Sequence, residues 1–153
     1  MRRLVTLLSI VLAVVVLAKA AAGQDRKHIV MKRPTVTATN APFSEAVLKG
    51  DTLYLSGHIG LDPNTSKPGA TPEEEAKLVM ESFKRSIEAG GMAMDDLVTV
   101  TVYCSDVAYY DAFNGVYRSY FHGDFPARAF IGSGKLLFGA RFEVQGIAVK
   151  KSR

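Results

Sequence analysis

Arg128 and Glu143 are the two charged residues in this chain that stand on strand-like segments with the chemistry to act on a small substrate. Arg128 follows Phe125-Pro126-Ala127, and by the two-residue period of an extended chain it shares a face with Phe130 and Gly132. Glu143 stands between Phe142 and Val144 and shares a face with Arg141 and Gln145. A guanidinium on one strand and a carboxylate on another can close a structural salt bridge. They can also build a site, because the planar fork of donors on arginine grips a small carboxylate and a glutamate can activate water. Residue types alone leave both readings open.

The remaining candidates are weaker. Ser56-Gly57-His58 sets a hydroxyl beside an imidazole, but adjacent strand residues point to opposite faces, so no Ser–His nucleophile pair is implied. His122 falls at the end of a helical segment, where a partly charged imidazole suits the dipole. His28 lies in a polar stretch and reads as solvated. Cys104 closes an apolar alternation and reads as a buried, inert thiol. Gly132-Ser133-Gly134-Lys135 lacks the first glycine of a phosphate loop and no helix follows it. A single cysteine and three dispersed histidines give neither a disulfide framework nor a metal cage, and no cofactor motif is present.

The elements that must position these residues are readable from patterning. Residues near Val36 suggest a short strand, Asn40-Ala41-Pro42 a turn, residues 43–48 a mixed strand start, and residues 52–56 an alternating strand. Residues 57–69, rich in Gly, Pro, Asn, Asp and Ser, read as a loop. A helix then starts at the cap Thr71, with Pro72 first and Glu74 closing a Thr-x-x-Glu box. It carries Ala76, Val79, Met80, Phe83 and Ile87 on one face and ends at Gly90-Gly91. Residues 97–104 alternate, with Val98, Val100, Val102 and Cys104 on one face. Asp106 can cap a second helix to about Phe121, with Tyr110, Phe113, Tyr117 and Tyr120 on a stripe. Residues 127–131 and 141–149 complete the strands. Two amphipathic helices cover one face of a single sheet, an α+β arrangement. The other face is left to be buried elsewhere, and self-association is the simplest cover.

Composition narrows the function classes. The 153 residues hold 48% hydrophobic and 22% charged side chains, which is ordinary globular composition and suits one domain. Residues 1–23 read as a secretory signal: Arg2 and Arg3, then an apolar run from Leu4 to Leu17, then small residues around Ala18 to Gly23. The run is short for a membrane span, which needs about 20 residues. Residues 24–34 then read as a linker and 35–150 as the folded domain, exported to the periplasm or medium. An uncleaved anchor is the alternative reading. Removing Arg2, Arg3 and Lys19, with no acid lost, takes the net charge from +4 to +1. The basic character therefore sits at the chain ends and not in a surface stripe, which argues against a nucleic-acid partner.

Several segments in order resemble the RidA family, also called YjgF or endoribonuclease L-PSP. They are Ala41-Pro42-Phe43-Ser44-Glu45-Ala46-Val47, Leu55-Ser56-Gly57-His58-Ile59-Gly60-Leu61-Asp62-Pro63, Phe125-Pro126-Ala127-Arg128, and Glu143-Val144-Gln145-Gly146-Ile147-Ala148-Val149. The resemblance spans residues 40–149. It implies a chorismate-mutase-like α+β domain that assembles as a homotrimer with its sites in clefts between subunits. The activity it implies is hydrolysis of reactive enamine or imine 2-imino acids to 2-keto acids and ammonia, with no metal or organic cofactor. By the same resemblance, Arg128 grips the substrate carboxylate, Glu143 positions or activates water, and Ser56 and Gly57 line the pocket.

Three positions depart from the family's common pattern. Phe43 stands where tyrosine is common, so a phenol hydroxyl is missing. Phe130 stands where cysteine is common and brings a bulkier ring beside Arg128. Gln145 replaces a second acid. The signal segment departs too, since typical members are cytosolic. Phe43 and Phe130 motivate one alternative, a non-catalytic module binding a small carboxylate or other metabolite. Ribonuclease activity is a further alternative, disfavoured by the lack of a basic, aromatic-studded stripe.

Overall fold

The computed structural model describes residues 26–31 and 41–151. The signal segment 1–23 and the strand expected near Val36 lie outside the described residues. Within the segment read as a linker, Lys27–Ile29 forms a strand, β1, which pairs antiparallel with β2, Ala46–Lys49. The order continues with β3 Thr52–Ile59, α1 Pro72–Ala89, β4 Leu97–Cys104, α2 Tyr110–Arg118, β5 Ala127–Gly132 and β6 Phe142–Val149. The strands make one six-stranded sheet in the order β1-β2-β3-β6-β4-β5. Every neighbouring pair is antiparallel except β4 and β5, which run parallel with α2 as the crossover.

Helix α1 starts where its local chemistry requires. The Thr71 hydroxyl accepts from the Glu74 N–H at 3.2 Å, and the Glu74 carboxylate accepts from the Thr71 N–H at 3.3 Å, so two end groups of the helix are satisfied reciprocally. Ala76, Val79, Met80, Phe83 and Ile87 are all fully buried against the sheet. The second helix is shorter than its stripe suggests. Asp106 caps a 3₁₀ turn at Val107–Tyr109, accepting from the Ala108 N–H at 2.9 Å, and the α-helix proper ends at Arg118.

Both helices lie on one face, as the patterning requires. Leu53, Leu55, Val100, Val102, Cys104, Phe142, Val144 and Ala148 point into the core they cover. The opposite face carries Tyr54, Thr99, Thr101, Tyr103, Glu143, Gln145 and Ile147, all partly or largely exposed. Two strand readings change. Val98 is 47% exposed rather than core, because the β4–β6 register shifts between Leu97 and Thr99 and a bulge turns it out. Strand β3 runs on to Ile59, through residues that the loop reading had assigned to 57–69.

The buried ion pair is one the patterning did not indicate. The fully buried Glu75 carboxylate, in the first turn of α1, accepts from the Arg141 guanidinium at 2.7 Å and from the Arg141 and Phe142 N–H groups at 2.5 and 3.1 Å. Arg141 also donates to the Gly69 and Ala70 carbonyls, at 2.9 and 3.3 Å. One carboxylate thus ties the start of β6 to the start of α1. Among the described residues, no helix is long and apolar enough to cross a membrane.

Candidate active site

The Glu143 side of the site is built on a bulge. Leu55 pairs with Gly146 and His58 with Val144, so Ser56 and Gly57 together oppose Gln145. Glu143, opposite Ile59, lays its carboxylate over Gly57 so closely that a Cβ on Gly57 would overlap it. The Ser56 hydroxyl donates to the Ser44 carbonyl at 2.6 Å, which ties the loop carrying Phe43 to β3. Phe43 itself is half exposed. Gly57 and Glu143 therefore sit together on the face away from the helices, with Ser56 beside them and the loop that carries Phe43 tied to Ser56.

No Ser–His pair forms. His58 is buried on the helix face, and its ring nitrogens meet the Ser56 carbonyl and the Ser86 hydroxyl, each at 2.7 Å. Cys104 is buried as expected, and burial raises its thiol pKa, so it stays protonated and unreactive. His28 is not simply solvated: it sits in β1 with Nδ1 at 2.9 Å from the Ser44 hydroxyl.

The Arg128 side lies elsewhere. Arg128 pairs with Val100 and Phe130 with Val102, two residues buried under the helices, so Arg128 and Phe130 face α2. The Arg128 guanidinium carbon stands 4.6 Å from the centre of the Tyr117 ring, 5.9 Å from Tyr110 and 5.8 Å from Phe130. Three rings thus present π-faces and edges around one cation. Phe130 packs edge-on against Tyr110 at 5.0 Å and Phe113 at 5.7 Å. Asn114, Tyr117, Arg118, Phe125, Pro126 and Arg128 line a small open cavity of about 180 Å³ beside it. The Tyr117 hydroxyl is buried without a hydrogen-bond partner among the described residues. Burial pushes its pKa up to about 12, and the Arg128 charge partly opposes that rise.

Arg128 and Glu143 are therefore on opposite faces of the sheet. Glu143 pairs across to Tyr103 and Tyr103 to Ile131, which places Arg128 two strands away and three residues along. Each strand step is about 4.8 Å and each residue about 3.3 Å, so the pair is far beyond contact even before the change of face. The salt bridge that the sequence left open does not form within the chain; Arg141 and Glu75 make that kind of bond instead. Arg141 turns to Glu75 rather than sharing a surface with Glu143.

Sequence reasoning missed Tyr117 and Asn114 as neighbours of Arg128. Tyr117 is on the helix stripe that marks core, and it serves as core and as the platform for the guanidinium. The described residues contain no group of three or more His, Cys, Asp or Glu placed to hold a metal ion.

Comparison with known proteins gives these geometries a context. The family model described as "Endoribonuclease L-PSP" matches residues 32–150. A rat protein named 2-iminobutanoate/2-iminopropanoate deaminase is 34% identical over 125 residues, 77% of this chain and 90% of its own. The goat protein of the same name is 37% identical over 115 residues, 74% of this chain and 83% of its own. The crystal structure of Escherichia coli TdcF with bound serine superposes with a TM-score of 0.73 at 25% identity, covering 82% of this chain and all of that one.

Proposed function

The chain belongs to the endoribonuclease L-PSP (RidA) family, and from that premise we propose that it hydrolyses 2-imino acids to 2-keto acids and ammonia. The reaction adds water across a C=N bond. The water oxygen bonds to the imine carbon, the nitrogen takes up protons, and the resulting carbinolamine expels ammonia to leave the ketone. An imine carbon is already electrophilic, so holding water and substrate in register supplies most of what is required. In this reading Arg128 binds the substrate carboxylate with two parallel N–H bonds. Glu143 takes the proton of the attacking water and returns it to the departing nitrogen. Phe43, Ser56, Gly57 and Phe130 shape the walls.

One observation carries the arrangement: the two charged residues that this chemistry needs lie on opposite faces of one chain, each beside an open surface. Arg128 has no carboxylate partner among the described residues, and its ring cage leaves it next to a cavity. The complete site then requires the Glu143 face of one copy against the β5 edge of another. A homotrimer with three such clefts satisfies this, and it also covers the sheet face that the helices leave open. The TdcF relative binds serine, a small carboxylate of the kind that the Arg128 guanidinium would grip. Ribonuclease activity is not favoured, because the chain after residue 23 carries a net charge of only +1, which offers little attraction for a phosphate backbone.

A coupled assay tests the reading. An amino-acid oxidase generates 2-imino acids while semicarbazide traps what is not hydrolysed. The protein from Gln24 onward is expected to accelerate keto-acid formation, and Arg128→Ala is expected to abolish the acceleration while remaining folded and associated. Full activity in Arg128→Ala would remove the central role of that residue. Residues 1–23 further suggest an exported protein. Intact mass of the protein expressed in a secreting host is expected to begin near Gln24, and an uncleaved N-terminus would point to the anchor instead.

A further inference from the structure

The bulge in β3 takes the Ser56 carbonyl out of the ladder, and a buried side chain receives it. The Ser56 N–H donates to the Glu45 carbonyl at 3.0 Å, toward β2. The Ser56 carbonyl lies 2.7 Å from His58 Nδ1. A carbonyl can only accept, so Nδ1 carries the hydrogen. The Ser86 hydroxyl lies 2.7 Å from the other ring nitrogen, Nε2. The Glu45 carboxylate is 3.5 Å from the same nitrogen, and Phe83 of α1 packs its ring against the imidazole at 5.4 Å. His58 is 1% exposed, with α1 and the chain before β2 at its Nε2 end and the Ser56 carbonyl of β3 at its Nδ1 end.

The peptide that His58 holds is the one under Glu143. No described peptide bond is cis, so the Gly57 N–H points opposite to the Ser56 carbonyl, away from the buried His58 ring. The same peptide sets where Gly57 lies, and Glu143 rests on Gly57.

We propose that His58 is a positioning residue for the deaminase site: its Nδ1–H pins the Ser56–Gly57 peptide, and that peptide seats the Glu143 carboxylate. The proposal rests on the deaminase reading for its kinetic consequence and not for its structural one. Because His58 acts on the Glu143 side only, it governs the water-activating step and leaves the carboxylate grip of Arg128 alone. It therefore moves kcat and not KM.

The test compares His58→Leu and His58→Gln in the full mature protein. Glutamine can send an amide N–H to the Ser56 carbonyl; leucine cannot. His58→Leu is expected to lower kcat about tenfold, the scale of a small misplacement of a reacting group, with KM within about twofold of wild type. His58→Gln is expected to recover most of kcat. A loss of thermal stability with kcat intact in the folded His58→Leu protein would make His58 a merely structural residue and overturn the proposal. Two readouts need no turnover. Nitrogen NMR of the wild-type ring is expected to show hydrogen on Nδ1, and the Gly57 amide resonance is expected to move in His58→Leu and return in His58→Gln. A wild-type ring carrying hydrogen on Nε2 alone would refute the proposal even if His58→Leu does not fold. If wild type releases no ammonia, the deaminase reading fails by itself, and the Gly57 amide still decides the role of His58.

Discussion

Gly57 is glycine because a carboxylate occupies the space where its side chain would be. Gly57→Ala pushes the Glu143 carboxylate aside while leaving the helix-covered core untouched. The expected result is a fall in kcat of about tenfold or more, with a melting temperature close to wild type; unchanged turnover would show that Glu143 does not need its seat on Gly57. Across the sheet, Tyr117 supports Arg128 with its ring while its buried hydroxyl has no partner among the described residues. Tyr117→Phe keeps the ring and removes the orphaned oxygen, so it is expected to leave stability equal or slightly higher at pH 7. The pH dependence has a definite sign. A tyrosine whose folded pKa is raised, here to about 12 from about 10, contributes stability that is present below pH 10 and lost as pH climbs toward 12. Urea unfolding followed between pH 9 and 12 is expected to show wild type losing stability more steeply than Tyr117→Phe.

At the scale of elements, the start of β6 depends on α1 through one buried carboxylate. Glu75 receives two backbone N–H groups and a guanidinium, so every one of its bonds needs an acceptor. Glu75→Gln replaces one acceptor with a donor facing other donors, at a cost of about 2–4 kcal/mol, read as a lower urea midpoint with unchanged slope. Helix α1 itself was legible in the sequence because its cap and glycine stop are local chemistry. Strand β1 was not: Lys27–Ile29 is short and polar, and it is a strand only because β2 offers its edge. Val98 looked like core because strict alternation cannot anticipate a bulge. An acid in a first helical turn is ordinary for the dipole, so nothing local marked Glu75 as buried. The candidate site was half legible. Arg128, Glu143, Ser56 and Gly57 stand out by type and by resemblance, but the face each occupies depends on which strands become neighbours. That is a long-range property, and it decides that one chain cannot bring Arg128 to Glu143.

For the whole molecule, the account rests on sites made by two copies. The described chain has a helix-covered face with Arg128 at its β5 edge, and an open face with Glu143. The measurement that tests this most directly mixes two variants, Arg128→Ala and Glu143→Gln, each inactive alone. Subunits are co-expressed at equal levels with different tags, and assemblies carrying both tags are purified and assayed for 2-imino acid hydrolysis. If each site takes Arg128 from one copy and Glu143 from its neighbour in the proposed trimer, both functional halves meet in one cleft of every mixed trimer, so the purified mixed trimers recover about a third of wild-type activity. No recovery in the mixed assemblies would contradict the account, because it would mean that both residues must be intact in the same chain.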